Sequence, residues 1–237
     1  MDIGYMGNLI GLIGILSCQA AISVSGLPQA PSTIQPHVLG LDISRHQGAI
    51  NWSQLRSQNL KFVFIKATEG GDYRDPLFLR NWHQAKRHGL LVGAYHFFTF
   101  CRSAEAQAKN FIRTVPKQAG TLAPVVDIEF IGNCTKRPKQ DRFDKELTTF
   151  IQRVETHYQI PVIIYTGNQL FSHYRLSRFN RRIFWLRNYE TAPKATVNWK
   201  FWQYTNKAKI RGIKTRVDIN IFKGSFFELQ KMTIQKN

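Results

Sequence analysis

The chain has 237 residues, enough for one domain, and its 43% hydrophobic and 20% charged residues are typical of a globular protein. This composition excludes a disordered chain. Lysine and arginine total 33 against 15 acidic residues, which gives a net charge of +18. A charge of this size is typical either of a protein with an anionic partner, such as nucleic acid, an anionic membrane or a wall polymer, or of a solvated basic surface, and it carries no information about the fold.

The first 26 residues predict a secretory signal. Residues 8–18 form an apolar run (NLIGLIGILSC), and small residues follow it. The run is too short to span a bilayer, so we expect no transmembrane span. The segment before it carries Asp2 and no lysine or arginine, unlike a usual signal. Residues 15–18 resemble a lipoprotein cleavage box, so a lipid anchor on Cys18 is the alternative, and both interpretations predict a secreted or periplasmic protein.

The next segment, residues 27–38, contains three prolines and predicts an extended linker, which leaves residues 39–237 for the domain. Within the domain, short apolar runs alternate with turns and helical stretches. Continuous apolar runs are typical of strands that are buried on both faces. We expect eight strands, at residues 38–43, 62–67, 90–98, 122–130, 161–165, 183–186, 200–204 and 217–222.

Three segments between these runs predict helices. Residues 76–88 begin with a proline and stop before a glycine. Residues 103–115 begin with a serine that can cap a helix, and residues 141–158 form a long amphipathic stretch. Alternating strands and helices predict a parallel sheet, and eight such units predict a (β/α) barrel with few helices in its second half.

The chain has three cysteines. Removal or lipidation of Cys18 leaves Cys101 and Cys134, which form a candidate disulfide in an oxidising compartment.

Acidic residues stand at the ends of several expected strands, where the active site of a barrel of this kind lies. They are Asp42, Glu69, Asp127, Glu129 and Asp218. Residues two apart on a strand point to the same side, so Asp127 and Glu129 face one cavity. Adjacent carboxylates push their pKa values apart, so one can act as an acid while the other stays ionised. The alternative is an acid pair held by nearby arginine or lysine.

Aromatic residues also lie at or near the strand ends. Sugar rings pack their C–H faces on aromatic rings, so the set suits a carbohydrate, although buried rings are more often part of a core. The set comprises Tyr95, Phe97, Tyr165, Trp185, Tyr189 and Trp202. No cysteine or histidine group has metal-ligand spacing and no nucleotide-binding loop is present, so we expect neither a metal nor a cofactor.

Several motifs in order resemble glycoside hydrolase family 25, the Chalaropsis-type lysozymes, over residues 39–229. Residues 40–48 (GLDISRHQG) resemble the opening strand of the family. Its later strands are matched, in order, by residues 62–70 (FVFIKATEG), 92–98 (VGAYHFF), 124–129 (PVVDIE), 163–167 (IIYTG), 201–204 (FWQY) and 217–220 (VDIN). The resemblance implies a flattened barrel of eight strands with few helices.

The resemblance also implies cleavage of the β-1,4 bond between N-acetylmuramic acid and N-acetylglucosamine in peptidoglycan. Glu129 then maps onto the acid that protonates the leaving oxygen, and Asp127 assists the 2-acetamido group of the substrate as it attacks the anomeric carbon. The expected substrate-binding residues are Asp42, Asp218, Tyr95, Tyr165, Trp185 and Gln203. Two features depart from the family pattern: Arg187, where the family usually has a small residue, and the basic loop 132–142.

Two other functions stay open. The same fold and acids also suit a hydrolase of chitin-like N-acetylglucosamine polymers. A basic, non-catalytic wall-binding protein is favoured by the charge alone. We expect peptidoglycan and anionic envelope polymers as partners, no specific nucleic acid, and a monomer.

Overall fold

The computed structural model describes Met1, residues 36–194 and residues 197–236. The predicted signal, with Cys18, lies outside the described residues apart from Met1, and so does most of the predicted linker. Among the described residues, no helix is long and apolar enough to cross a membrane.

Eight strands close into a barrel. Strand β1 (His37–Ile43) pairs in parallel with β2 (Phe62–Glu69) and antiparallel with β9 (Val217–Lys223). The others follow in chain order: β4 (Leu91–Phe97), β5 (Val125–Ile128), β6 (Ile163–Gly167), β7 (Phe184–Arg187) and β8 (Trp199–Ala208). A two-residue strand that was not predicted, β3 (Tyr73–Arg74), pairs with the end of β2.

The predicted eight-stranded barrel with few helices is confirmed, but its sheet is mixed rather than wholly parallel. Strand β9 runs antiparallel to both β8 and β1. A parallel connection needs a dozen or more residues, whereas only residues 209–216 separate β8 from β9. The short connection therefore makes the chain turn back.

Six α-helices occur in the described residues: α1 (Trp52–Arg56), α2 (Phe78–Arg87), α3 (Ala104–Thr114), α4 (Gln140–Tyr158), α5 (Asn168–His173) and α6 (Phe226–Gln230). The three predicted helices are α2, α3 and α4. Helix α2 begins at Phe78 instead of residue 76, because Asp75 forms a turn in which its side chain accepts from the Leu77 backbone N–H at 2.9 Å. Ser103 caps α3 as expected, by accepting from the Ala106 N–H.

Aromatic rings fill the barrel interior below the cavity described in the next subsection. The ring of Phe64 stacks on Trp185 with centroids 4.9 Å apart and meets Phe201 edge-on at 5.3 Å. On the same strand, Val63 and Ile65 point the other way, into the layer between barrel and helices. Strand β2 is therefore buried on both faces, which explains its continuous apolar sequence.

Candidate active site

A polar cavity of about 210 Å³ opens at the carboxyl ends of the parallel strands. It is lined by Asp42, Tyr95, Asp127, Glu129, Tyr165, Trp185, Arg187, Tyr189, Gln203, Asn206 and Asp218. The structure therefore brings together all eight residues that the sequence assigned to catalysis or substrate binding. A larger open groove of about 820 Å³ between α3 and α4 holds none of these residues.

The acid pair lies at the end of β5. Asp127 is buried, and its Oδ1 atom has no hydrogen-bond partner among the described residues. Burial raises the pKa of Asp127 well above its ordinary value, and the negative charge of Glu129 adds to the rise. A buried, unpartnered oxygen beside a cavity is free to accept a hydrogen bond from a ligand.

Glu129 forms an ion pair with Arg187, whose Nη1 atom lies 2.5 Å from Oε2 of the carboxylate. Burial raises the pKa of Glu129, whereas the positive charge of Arg187 opposes that rise. Burial thus raises the pKa of both acids, and the main charge that opposes the rise is Arg187 at Glu129 and Lys66 at Asp127.

A second acid pair lies across the cavity, where Asp42 of β1 faces Asp218 of β9 in the antiparallel register. The Oδ2 atom of Asp42 accepts from Gln203 at 2.9 Å and from Asn220 at 2.8 Å. Burial, and then the charge of Asp42 and a hydrogen bond to it, raise the pKa of Asp218 to about 9. Asp218 is thus a protonated donor to Asp42 at neutral pH.

Gln203 connects this acid pair to two tyrosines. Its Oε1 atom accepts from the hydroxyls of Tyr165 at 3.0 Å and Tyr189 at 2.9 Å, while its Nε2 atom donates to Asp42. The amide therefore fixes both rings relative to the carboxylates, as a preorganised binding site requires.

Trp185 forms one wall of the cavity and is held on several sides. Its indole N–H donates to Asn220 at 2.8 Å, and the Tyr165 ring meets it edge-on at 4.6 Å. The ring is therefore fixed in position by the barrel interior beneath it.

Some residues considered from the sequence lie elsewhere. Glu69 pairs with Lys66 at 2.7 Å and does not line the cavity. The side chains of Phe97 and Trp202 are buried and also lie outside the cavity lining. Among the residues that the structure describes, no group of three or more histidine, cysteine, aspartate or glutamate side chains is arranged so that it could hold a metal ion.

The loop after Glu129 is fixed from both sides. The Asn133 amide donates to the backbone carbonyls of Glu129 at 2.9 Å and Phe98 at 2.8 Å. A disulfide joins Cys101 to Cys134 with a Cα–Cα distance of 6.3 Å. These contacts tie the end of β5 to the segment after β4, which limits how far Glu129 can move.

Three lining residues, Arg187, Tyr189 and Asn206, were not assigned to the site from the sequence. Neither was Asn220, which accepts a hydrogen bond from Trp185 and donates one to Asp42. Asn220 follows Asp218 by two positions on one strand, so strand alternation alone would have placed it on the same side. Arg187 was noted only as a departure, because the sequence does not show that β7 brings it to Glu129.

Comparison with known proteins identifies relatives over most of the chain. Residues 41–213 match the family model described as glycosyl hydrolases family 25. The protein YegX of Escherichia coli K12, described as uncharacterized, is 35% identical over 81% of this chain and 71% of its own length. Lysozyme M1 of Streptomyces globisporus is 32% identical over 79% of this chain and 68% of its own length.

Solved structures show the same architecture. A family 25 glycosyl hydrolase from Bacillus anthracis superposes with a TM-score of 0.80 at 37% identity, covering 86% of this chain and 95% of its own. A lysozyme from Streptomyces coelicolor gives a TM-score of 0.77 at 30% identity, over 82% of this chain and 96% of its own.

Proposed function

Since the chain belongs to glycosyl hydrolases family 25, we propose that it is a muramidase, which hydrolyses the β-1,4 bond between N-acetylmuramic acid and N-acetylglucosamine in peptidoglycan. The observation that carries the proposal is the pairing of Asp127 and Glu129 at one strand end, with an unpartnered, buried Asp127 oxygen beside the cavity. The aromatic and amide groups around the pair suit a sugar ring with an acetamido substituent.

In this mechanism Glu129 donates its proton to the glycosidic oxygen as the bond from that oxygen to C1 breaks. The carbonyl oxygen of the 2-acetamido group attacks C1 and forms a five-membered ring, while Asp127 accepts a hydrogen bond from the amide N–H of the same group. A water molecule then attacks C1 and gives a proton to the Glu129 carboxylate, and the ring reopens. Substrate-assisted hydrolysis of this kind is known among glycosidases and needs no carboxylate nucleophile.

The test is hydrolysis of purified peptidoglycan by the protein and by Glu129→Gln. We expect the wild type to release reducing ends, and the variant to lose about 100-fold or more in rate, because general acid–base catalysis contributes about 10²–10⁴-fold. Thermal melting checks that the variant is folded. Unchanged turnover in a folded variant would remove Glu129 from its role.

Mass analysis of the fragments distinguishes the substrates. Products that end in reducing N-acetylmuramic acid support the proposal. Turnover of chitin without turnover of peptidoglycan would instead identify a hydrolase of N-acetylglucosamine polymers. Binding to peptidoglycan without release of any fragment would identify a basic wall-binding protein.

We also propose that the protein works outside the cytoplasm. The predicted signal in residues 1–26 supports export, and so does the Cys101–Cys134 disulfide, because disulfides persist in oxidising compartments.

A further inference from the structure

The proposed proton donor is paired with a cation. Oε2 of Glu129 lies 2.5 Å from Nη1 of Arg187, and this contact favours the ionised carboxylate, against burial, which raises the pKa of Glu129. The mechanism requires a protonated Glu129 and an Asp127 able to accept a hydrogen bond from the substrate. Some event on substrate binding must therefore separate Arg187 from Glu129.

Arg187 reaches Glu129 because the neighbouring strand leaves room for it. Gly167 of β6 is its register partner, and a Cβ atom on Gly167 would lie 2.8 Å from the Nη2 atom of Arg187. The glycine thus admits the guanidinium to the cavity. The centroid of the Tyr189 ring lies 5.9 Å from the guanidinium carbon.

The guanidinium can bind more than Glu129. It has five N–H donors, and a single one, on Nη1, contacts Glu129. Its side chain is 27% exposed, compared with 14% for Glu129. Arg187 is also the one arginine or lysine among the described residues that line the cavity, where it stands opposite four carboxyl groups.

The groups that face Glu129 come from several strands. They are Asp42 and Asp218 on β1 and β9, Asp127 on β5, Tyr165 on β6, Arg187 and Tyr189 near β7, with Lys66 of β2 acting on the neighbouring Asp127. With Arg187 withdrawn, Lys66 still acts on Asp127, but no other arginine or lysine among the described residues lines the cavity beside Glu129. A proton is then held more strongly on Glu129.

Muramic acid offers a group that can withdraw the arginine. It differs from N-acetylglucosamine by a lactyl ether that ends in a carboxyl group, and this carboxyl is a free anion where the glycan carries no stem peptide. Arginine binds carboxylates through two parallel N–H donors, which a single contact with Glu129 does not use. Chitin has no anionic group to compete for the arginine.

We propose that Arg187 is a specificity-determining and positioning residue, which pairs with Glu129 before the glycan binds and moves to the free lactyl carboxylate of a peptide-free muramic acid residue when it does. Glu129 then takes up the proton that it donates. This inference rests on the proposed muramidase function. It implies that the preferred substrate is glycan from which an amidase-type reaction has removed the peptides.

Two soluble substrates test the exchange. One is a peptide-free oligosaccharide of alternating N-acetylglucosamine and N-acetylmuramic acid, and the other is the same oligosaccharide with its lactyl carboxylates converted to methyl esters. The profile of kcat against pH is measured for the wild type, Arg187→Ala and Arg187→Lys. Lys109→Ala is the matched control, because it removes one positive charge from an exposed position on α3.

We expect the wild type and Lys109→Ala to prefer the carboxylate substrate by about tenfold in kcat/KM, as a charged hydrogen bond predicts. For these two proteins, the pH above which kcat declines is higher with the carboxylate substrate than with the ester. In Arg187→Ala the preference disappears, and kcat declines at the same, higher pH with both substrates. Arg187→Lys restores part of the preference.

Three results would overturn the exchange. In the first, Arg187→Ala keeps both the substrate preference and the pH profiles of the wild type. In the second, the wild type shows the same kcat/KM and the same pH profile with both substrates, and in the third a folded Arg187→Ala is inactive on both substrates and Arg187→Lys restores no activity. A wild type that hydrolyses neither these substrates nor peptidoglycan would instead overturn the muramidase function itself, and the exchange with it.

Discussion

At the scale of single residues, the pair of Asp42 and Asp218 makes the site sensitive to pH. The pKa of Asp218 is raised to about 9 by burial and by the charge of Asp42. The folded protein therefore keeps a proton on Asp218 that the unfolded chain releases near pH 4. Its contribution to stability is complete below pH 4 and is lost as the pH rises toward 9.

Asp218→Asn tests this assignment, because the asparagine amide keeps a donor toward Asp42 and cannot ionise. We expect the melting temperature of the variant, relative to the wild type, to increase from pH 4 to pH 9 and to level off above that. Thermal melting at a series of pH values measures the difference. A difference that stays constant across this range would show that Asp218 titrates normally.

Four of the five acids singled out from the sequence line the cavity, because charged residues inside apolar runs have few structural roles, whereas Glu69 does not line it. The sequence could not predict their ionisation. The contact between Arg187 and Glu129 joins residues 58 positions apart in the chain, and it depends on the strand order. Likewise, the pKa of Asp218 depends on the antiparallel placement of β9 beside β1.

At the scale of the strands, small residues allow the aromatic interior to form. Gly93 of β4 lies beside Phe64 of β2 in the parallel register. A Cβ atom on Gly93 would lie 2.4 Å from the Phe64 ring and 3.1 Å from Leu122. Because Phe64 stacks on Trp185, a disturbance of this contact would be transmitted to the wall of the cavity.

Gly93→Ala should therefore lower the free energy of unfolding by about 1–3 kcal/mol, as overpacked cores do. Gly71→Ala is the control, since its Cβ would meet Ala106 at an ordinary 3.4 Å, and we expect a change within about 0.5 kcal/mol. Urea unfolding measures both variants. Equal stability of the two would mean that the barrel interior relaxes around the added methyl group.

The sequence predicted that strands β5 and β8 exist but not where they end. Strand β8 extends to Ala208, four residues beyond the predicted end, because Thr205 and Ala208 pair with β9 although residues 206 and 207 are exposed. In contrast, β5 is shorter than the predicted run of residues 122–130, since Leu122 forms an isolated bridge with Thr233 instead. Tertiary pairing, rather than local composition, decides these ends.

At the scale of the whole molecule, the net charge of +18 should affect how the enzyme reaches an anionic envelope. We expect turnover of insoluble cell-wall sacculi to fall as sodium chloride is raised from 0.1 to 1 M, because the Debye length shortens from about 10 Å to about 3 Å. Turnover of a soluble, uncharged substrate, the methyl-ester oligosaccharide described above, should change little. A parallel decline on both substrates would place the salt effect in the catalytic cavity.

Barrel closure by an antiparallel last strand also determines where the cavity lies relative to the ends of the described residues. His37, where β1 begins, pairs with Lys223 at the end of β9, and Ile234 bonds to Thr121 ahead of β5. The first and last strands and bridges of the described residues thus begin and end at the face opposite Asp42 and Asp218. A molecule tethered to a surface through the segment before His37 would hold its cavity outward, facing a glycan mesh above that surface.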